Sequence, residues 1–403
     1  MARTLAEIQA LTDKHVMRTY NRLPLALVRG EGVRVWDSEG KAYLDFVAGL
    51  AVNGLGHRHP RVVAAIHEAA ESVLHTANLY YIEPQAELAA RLAALSGLDR
   101  AFFCNSGTEA NELAIKLVRR WGWLQGQGRY KIIAAHNSFH GRTLGALAAT
   151  GQPKYHEGFA PLPEGFVHVP FNDVDALQAA IDGETAAVML EPVLGEGGVY
   201  PADPGYLRAV RELCDAHGLL LVLDEIQTGM GRTGRMFAFE HYGVRPDVMT
   251  LAKSLAGGVP IGAVLAREEV AASMGPGTHG STFGGNPFAC RVALAVVGTL
   301  VSEGLPAAAA AAGEHLRGRL EDLARRRGWI REIRGLGLMV GLELDGLEAP
   351  RVVAAAQERG LLINAPKPSV LRLLPPLIVR REEIDEAVGI LEDALAAVAA
   401  GQR

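Results

Sequence analysis

The sequence predicts an α/β protein built around a mostly parallel sheet. Between residues 60 and 266, short apolar strands alternate with helical segments, a pattern typical of a sheet with helices on both faces. Polar clusters directly follow several strands, and ligands of such folds bind at the carboxyl ends of the strands. We therefore expect a small-molecule site at that edge of the sheet. The predicted strands are 101–104, 131–134, 166–169, 186–190, 219–224, 248–251 and 261–265.

The segments on either side of this alternation predict smaller units. Residues 32–46 alternate apolar and polar side chains around a Gly turn, which predicts a β-hairpin. After residue 287, helical runs at 292–300, 307–312 and 314–327 precede strand patterns at 338–344 and 371–374. Because 403 residues exceed what one core usually organises, we predict three parts. They are an N-terminal segment 1–50 packing with the small domain, a large domain 51–287, and a small α+β domain 288–403.

Composition limits the classes of partner. The formal net charge of -5 argues against nucleic acid and anionic membranes, which would require a basic face. Three widely spaced cysteines predict reduced thiols. The first residues carry charges and lack an apolar signal core, and no apolar run reaches the roughly 18 residues of a membrane helix. We expect a cytoplasmic protein that acts on small molecules.

Lys253 is the most informative single residue. It ends an apolar run at 248–252 and precedes a glycine-containing segment. A buried ammonium is costly unless its charge is suppressed, and a neutral lysine can form a Schiff base with an aldehyde. The plain alternative is a strand-end lysine whose ammonium reaches solvent. Only seven lysines occur beside thirty-three arginines, so few other lysines compete for this role.

A second cluster, Ser106, Gly107 and Thr108, lies between a strand and a helix. Free backbone N–H groups and two hydroxyls at a helix N-terminus form a phosphate site. The plain alternative is a helix cap made by Ser106 or Thr108. Apolar residues of the following helix recur at three- and four-residue spacing from Ala110 to Val118, which supports the helix in either case.

A third cluster begins with Asp224, at the end of the most hydrophobic strand. A buried carboxylate without a partner costs several kcal/mol, and no Lys or Arg precedes Arg232 in this segment. A cationic ligand group, such as a protonated pyridine nitrogen, would satisfy it. The alternatives are that Asp224 caps the next loop or pairs with a distant arginine.

Two other patterns predict no ligand. Residues 229–234 match G-x-G-x-x-G by letter, but they follow the strand too late and precede no full helix, which argues against a dinucleotide. His57, His59 and His67 lack a Cys or carboxylate cluster that would complete a metal site, so we predict no metal.

Near Phe139 and Arg142, by contrast, an aromatic ring and a guanidinium at a strand end suit a planar ligand with a carboxylate. A core phenylalanine and a surface arginine are the plain alternative there.

Together, these motifs resemble the class III, or ω-, aminotransferase family of pyridoxal-phosphate enzymes of fold type I. The resemblance rests on their order along the chain and extends from 20–24 to 372–376. The motifs are Ser106-Gly107-Thr108, Phe139-His140-Gly141-Arg142, 191–198, Asp224-Glu225-Ile226-Gln227, Lys253 and 280–287.

The resemblance implies the cofactor pyridoxal 5'-phosphate and a role for each matching residue. Lys253 would bind the cofactor covalently and then move a proton at the substrate carbon, and Asp224 would keep the pyridine nitrogen protonated. Phe139 and Ile226 would contact the two faces of the ring, and Gln227 its phenolic oxygen. The phosphate would be bound by Ser106, Gly107 and Thr108, with Thr282 supplied by a second subunit. This sharing implies a homodimer.

The resemblance also implies two substrates, a donor and an acceptor of an amino group. A terminal amine, expected to be that of N2-acetyl-L-ornithine in arginine biosynthesis, would pass its amino group to 2-oxoglutarate. Arg142 would bind the carboxylate remote from the reacting carbon, and Arg372 the α-carboxylate of glutamate. Glu196 would pair with Arg372 while the amine donor is bound. Tyr20 and Ser281 would also contact substrate.

Three alternatives stay open at this stage. The amine donor could be succinyl-diaminopimelate or a carrier-protein-linked lysine precursor, used by the same mechanism. The segment 229–234 could belong to a nicotinamide oxidoreductase. A catalytically silent homologue is the third, although the presence of Lys253, Asp224 and both arginines argues against it.

Overall fold

The computed structural model describes residues 3–125 and 128–401. Its strands are β1 (Leu27–Glu31), β2 (Arg34–Asp37), β3 (Ala42–Asp45), β4 (Arg100–Cys104), β5 (Lys131–Ala135), β6 (Phe166–Val169), β7 (Thr185–Leu190), β8 (Val193–Leu194), β9 (Tyr200–Pro201), β10 (Leu220–Asp224), β11 (Val248–Leu251), β12 (Gly262–Ala266), β13 (Ile330–Leu336), β14 (Met339–Leu344), β15 (Leu361–Leu362), β16 (Asn364–Lys367) and β17 (Val370–Leu373).

Helices separate most of these strands. They are α1 (Leu5–His15), α2 (Ala48–Ala51), α3 (Pro60–Ala70), α4 (Glu83–Ser96), α5 (Gly107–Leu124), α6 (Leu144–Ala149), α7 (Val174–Ala179), α8 (Tyr206–His217), α9 (Glu268–Ala271), α10 (Pro287–Ser302), α11 (Leu305–Arg327), α12 (Ala349–Glu358) and α13 (Arg381–Ala400). Short 3-10 turns occur at Pro153–Tyr155, Ala238–His241 and Lys253–Leu255.

The central sheet has seven strands in the order β4-β12-β11-β10-β7-β5-β6. All pairs are parallel except those of β12, which runs antiparallel to both β11 and β4. A parallel crossover needs a dozen or more residues, and the connection 252–261 that carries Lys253 is too short for one. The predicted strands and their mostly parallel arrangement are confirmed.

Two smaller sheets join distant parts of the chain. The first has the order β1-β2-β3-β15, and its parallel pair places Leu44 opposite Leu361. The second has the antiparallel order β13-β14-β17-β16 and carries Arg372 within β17. The N-terminal hairpin is thus hydrogen bonded to C-terminal sequence, while the division at residues 50 and 287 stays a prediction.

The C-terminal region contains elements that were not predicted, namely α12, α13, β15 and β16, and it differs from the prediction at α11 and β13. The segments 307–312 and 314–327 belong to one helix, α11, although Gly313 lies inside it. A side chain at Gly313 would come within 2.2 Å of the Gly337 carbonyl, so the glycine permits close packing on that backbone. Strand β13 was not predicted, because Arg331, Glu332 and Arg334 interrupt its apolar pattern.

No single helix in the described ranges has both the length and the apolar character to cross a membrane. Helices α10 and α11 meet those limits only jointly, and they are bent by 65° relative to each other.

Candidate active site

A cavity of about 400 Å³ opens at the carboxyl ends of the central strands, where the sequence places its polar clusters. Most of the predicted site residues line it. They are Ser106, Gly107, Thr108, Phe139, Arg142, Glu196, Asp224, Ile226, Gln227 and Lys253.

Lys253 lies in this cavity directly after β11. Burial lowers the pKa of Lys253 below its ordinary range, although the nearby Glu196 carboxylate opposes the shift. Its backbone has a φ of 44°, in the left-handed region that non-glycine residues seldom adopt. The next residue fixes this turn, because the Ser254 hydroxyl donates to the Ala51 carbonyl at 2.6 Å. The lysine amine is therefore buried, held in a defined place and easier to deprotonate than a surface lysine.

Asp224, at the end of β10, has three protein partners. Its Oδ2 lies 2.8 Å from His140 Nδ1 and accepts from Asn111 Nδ2 at 2.8 Å, while Oδ1 accepts from the Ile226 backbone N–H at 3.0 Å. Burial alone would lower the pKa of His140. The adjacent Asp224 carboxylate outweighs burial and raises that pKa above its ordinary range. The buried carboxylate is thus bonded to an Asn and a His, with no Lys or Arg bonded to it among the described residues.

Neither His140 nor Asn111 was identified as a site residue from the sequence. Asn111 is a polar residue one position after Ala110 in α5, and its side chain donates to the His140 carbonyl as well as to Asp224. Asn111 is fully buried. That burial depends on how the helix packs on the sheet, so the sequence alone does not indicate it.

The turn before α5 has the features of both a helix cap and a phosphate site. Ser106 caps the helix, because its Oγ accepts from the Glu109 backbone N–H at 3.3 Å. Gly107 has no room for a side chain, since a Cβ would lie 2.8 Å from Ile226 Cδ1. The Thr108 hydroxyl accepts from the backbone N–H groups of Arg142 and Thr143 at 3.1 and 3.3 Å. The turn therefore presents a helix N-terminus to the cavity without a side chain at Gly107, an arrangement that fits a phosphate group.

Glu191 connects two walls of the cavity and was not predicted. Its carboxylate accepts from the Phe139 backbone N–H at 2.8 Å and from the Gly195 backbone N–H at 3.3 Å. Burial raises the pKa of Glu191 to about 7. The ring of Phe139 and the loop that carries Glu196 are thus tied to one buried carboxyl group.

Arg372 reaches the cavity from the small antiparallel sheet. Its side chain is fully buried, and its Nη1 donates to Glu196 Oε1 at 2.6 Å and to Gln227 Oε1 at 3.2 Å. Burial would raise the pKa of Glu196, but Arg372 and Lys253 lower it below its ordinary value. The ion pair that the resemblance implies is present in this structure.

Three further predicted residues, Tyr20, Ser281 and Thr282, do not line this cavity. Ser281 Oγ accepts from Asn105 Nδ2 at 3.3 Å, and Asn105 lines the cavity. Thr282 is exposed. Tyr20 is 74 % exposed and lines a separate cleft of about 1060 Å³ that also includes Asp45. Their roles toward substrate and cofactor stay predictions.

The segment 229–234 is filled by protein atoms. Side chains at Gly231 and Gly234 would lie 3.0 Å from Leu377 and 2.9 Å from Ala310. The fully buried Arg232 donates to the carbonyls of Leu338 and Pro375. These glycines permit close packing between segments and leave no space for a dinucleotide. No group of three His, Cys, Asp or Glu suited to a metal occurs within 3–125 and 128–401.

Comparisons with known proteins show the family of the chain. The sequence pattern of the family Aminotransferase class-III matches residues 16–395. The acetylornithine aminotransferase of Caldanaerobacter subterraneus subsp. tengcongensis is 55 % identical, over 96 % of this chain and 98 % of that protein.

Two solved structures show the same fold. N-acetylornithine aminotransferase from Stenotrophomonas maltophilia K279a is 41 % identical, with a TM-score of 0.84 over 97 % of this chain and 99 % of that one. Ornithine aminotransferase from Toxoplasma gondii, in a structure with partial occupancy of PLP at its active site, is 37 % identical, with a TM-score of 0.96 over 99 % of this chain and 95 % of that one.

Proposed function

The chain belongs to the class-III aminotransferase family, and on that premise we propose that it transfers the terminal amino group of N2-acetyl-L-ornithine to 2-oxoglutarate. The products are N-acetylglutamate 5-semialdehyde and glutamate, as in arginine biosynthesis. The predictions of fold type I, of an aminotransferase and of pyridoxal 5'-phosphate are confirmed by the family.

The observation that carries the terminal-amine substrate is the ion pair between Arg372 and Glu196. A terminal amine has no carboxylate on its reacting carbon, so it offers Arg372 no partner. A buried guanidinium without a counterion is strongly disfavoured, and Glu196 supplies that counterion at 2.6 Å. When glutamate binds instead, its α-carboxylate replaces Glu196, which moves aside.

The residues around the cavity suit the cofactor and divide its work. Bound pyridoxal phosphate supplies an aldehyde and a ring that withdraws electrons from the reacting carbon. Lys253 would hold the cofactor and would carry a proton to and from the reacting carbon. Asp224 would bind the ring nitrogen, and His140 and Asn111 hold Asp224 in place. Ser106, Gly107 and Thr108 would bind the phosphate.

Phe139 and Ile226, which line the cavity, would contact the ring of the cofactor, and Gln227 would bind its phenolic oxygen. Arg142 binds the carboxylate that lies far from the reacting carbon in both substrates. We also assign Ser281 and Tyr20 to the substrate site, although Tyr20 lines a separate cleft in the single chain.

The proposal includes a homodimer with shared sites and a cytoplasmic location. Several large apolar side chains are exposed: Leu79 is 85 %, Tyr80 71 % and Phe283 60 % exposed. A second subunit would bury these side chains and bring its Thr282 to the phosphate. Mixing a Lys253→Ala subunit with a Thr282→Val subunit tests the sharing. Activity that appears only in the mixture supports shared sites, whereas purely additive activity contradicts them.

The function is tested by spectroscopy and by a donor panel. The purified holoenzyme should show a visible absorbance band that glutamate bleaches and 2-oxoglutarate restores, and Lys253→Ala should not transaminate. N2-acetyl-L-ornithine should give the highest kcat/KM among itself, ornithine, succinyl-diaminopimelate and a carrier-linked lysine. A higher kcat/KM for another donor would reassign the substrate while leaving the aminotransferase chemistry intact.

A further inference from the structure

The guanidinium of Arg142 rests on an aromatic ring rather than on a carboxylate. Its Cζ lies 3.8 Å from the centroid of the Tyr155 ring and 5.4 Å from that of Phe139. The residue is exposed, and the structure shows no ion pair between its side chain and any residue in 3–125 or 128–401. A guanidinium held by its flat face keeps its N–H groups free at the edge.

Tyr155 is itself fixed against the cavity wall. It ends the 3-10 turn Pro153–Tyr155, and the residues on both sides are anchored. Gln152 Nε2 donates to the Ser138 carbonyl at 3.1 Å, and His156 Nε2 lies 2.8 Å from the Thr150 carbonyl. The Tyr155 ring also meets Phe139 edge to face, with centroids 6.0 Å apart at 83°. The ring therefore occupies one place before any substrate arrives.

The backbone of Arg142 is fixed from the other side. Its N–H donates to Thr108 Oγ1 at 3.1 Å, and the preceding Gly141 has a φ of 140° that a side chain would not tolerate. With the backbone and the guanidinium face both held, the long arginine side chain has few conformations left to lose when a carboxylate binds. Such preorganisation raises affinity by lowering the ordering cost.

We propose that Tyr155 is a positioning residue that makes the enzyme select substrates with a carboxylate remote from the reacting carbon. The inference rests on the role proposed above for Arg142. The contribution comes from the ring face rather than the hydroxyl, since the guanidinium lies over the centroid. A substrate without the remote carboxylate gains nothing from this platform.

The experiment compares Tyr155→Phe and Tyr155→Leu in the dimeric holoenzyme with two amine donors. N2-acetyl-L-ornithine carries the remote carboxylate, and N-acetyl-1,4-diaminobutane is the same molecule without it. Tyr155→Leu should raise KM for N2-acetyl-L-ornithine roughly tenfold, change kcat by less than about twofold, and leave kcat/KM for N-acetyl-1,4-diaminobutane within about twofold. Tyr155→Phe should retain wild-type KM values.

Equal losses for both donors in Tyr155→Leu would overturn the proposal, because they indicate a general structural role. A Tyr155→Phe variant as impaired as Tyr155→Leu would overturn it too, since the hydroxyl would then be responsible. Cofactor affinity is measured in parallel, because Tyr155 also contacts Phe139. A loss of cofactor affinity in proportion to the loss of activity would contradict selection through Arg142.

A second substrate pair keeps this test independent of the proposed donor. Glutamate carries a remote carboxylate and alanine does not, and either can be tested by its reaction with the holoenzyme alone. Tyr155→Leu should slow the reaction of glutamate at low concentration roughly tenfold and leave that of alanine unchanged. If wild type rejects N2-acetyl-L-ornithine while the glutamate–alanine contrast holds, the proposed function fails and the role of Tyr155 stands. If wild type accepts the donor and that contrast is absent, the reverse is true.

Discussion

Arg142 lines the cavity and Arg372 bonds to two residues that line it, but their guanidinium groups are held in opposite ways. Arg372 is fully buried on β17, and its guanidinium bonds to Glu196 and Gln227. Arg142 is exposed and rests on the ring of Tyr155. One guanidinium has a counterion from the protein, and the other has an aromatic support.

The difference follows from solvent. A charge removed from water costs several kcal/mol unless it is paired, so Arg372 needs Glu196 whenever no substrate carboxylate is present. Arg142 remains hydrated, so it needs no counterion and gains mainly from reduced freedom. We therefore expect a buried arginine that alternates between two partners and an exposed one that waits for a single kind of partner.

The largest effect should come from removing the Lys253 amine, which both half-reactions are proposed to use. Lys253→Ala should lower kcat for both half-reactions by roughly 10³-fold or more, because neither arginine can replace the lost amine. Single-turnover reactions with glutamate and with N2-acetyl-L-ornithine would measure it. Lys41→Ala, which removes an exposed lysine bonded to the Glu358 carbonyl, should keep wild-type rates. A residual rate above about one tenth of wild type would remove Lys253 from its proposed role.

The next effect separates the two arginines by stability. Arg372→Leu leaves Glu196 without its cation and should lower the free energy of unfolding by about 3 kcal/mol, the low end for a buried pair because the Glu196 side chain is 24 % exposed. Arg142→Leu should change it by less than about 0.5 kcal/mol. Urea unfolding of both variants measures the contrast. Adding Glu196→Gln to Arg372→Leu should recover part of the loss, and no recovery would mean that the pair is not its source.

Glu196→Gln tests the alternation of partners directly. The amide keeps the shape but loses the charge, so Arg372 has no full counterion while a terminal amine is bound. We expect kcat/KM for N2-acetyl-L-ornithine to fall roughly tenfold to a hundredfold, with the glutamate half-reaction unchanged or faster. Stopped-flow absorbance of the two half-reactions gives the ratio. Equal slowing of both would show that Glu196 has no switching role.

Replacing the exposed arginine should affect substrate binding alone. Arg142→Gln should raise KM roughly tenfold for substrates with a remote carboxylate, since a bidentate charged contact is lost. The melting temperature should stay within about 1 °C of wild type. Steady-state kinetics and thermal unfolding check the two parts. A lowered melting temperature would indicate that Arg142 is structurally required, contrary to its exposure.

The smallest effect concerns the pH dependence of stability. It should differ between a buried carboxyl group that is paired with a cation and one that is not. The pKa of Glu191 is raised by burial to about 7, so its contribution to stability is complete below about pH 4.5 and is lost as pH rises to about 7. For Glu196, whose pKa is lowered with Arg372 present, the contribution exists above about pH 4.5 and is lost as pH falls through the lowered pKa. Glu191→Gln should therefore flatten the decline in melting temperature between pH 4.5 and 7.

Glu225→Gln is the matched control for that measurement. Burial raises the pKa of Glu225 to about 7 as well, and this carboxyl accepts backbone N–H groups of Ala238 and Phe239 away from the cavity lining. It should flatten the same pH range without changing cofactor absorbance. An unchanged profile in both variants would show that these carboxyl groups titrate elsewhere.

The strands and the positions of the chemical groups followed from local pattern. Apolar runs such as 220–224 and 248–251 are buried along their whole length, and each polar cluster comes directly after one. Because parallel strands end at the same edge of a sheet, sequence order was enough to place Asp224, Lys253 and Ser106 near one another.

The contacts that adjust these groups depended on tertiary packing. Asp224 bonds to His140, 84 residues away along the chain, and Arg372 to Glu196, 176 residues away. The ring of Tyr155 lies under Arg142, and no motif in the sequence around Tyr155 indicates that contact.

The sequence by itself therefore determined the fold class, which depends on the periodicity of strands and helices, while the resemblance of its ordered motifs to a known family indicated the family and the cofactor. Only the tertiary structure decided which charges are buried, which have a counterion and which rest on a ring. Burial and pairing are set by surfaces that meet from distant parts of the chain, and no local pattern specifies them.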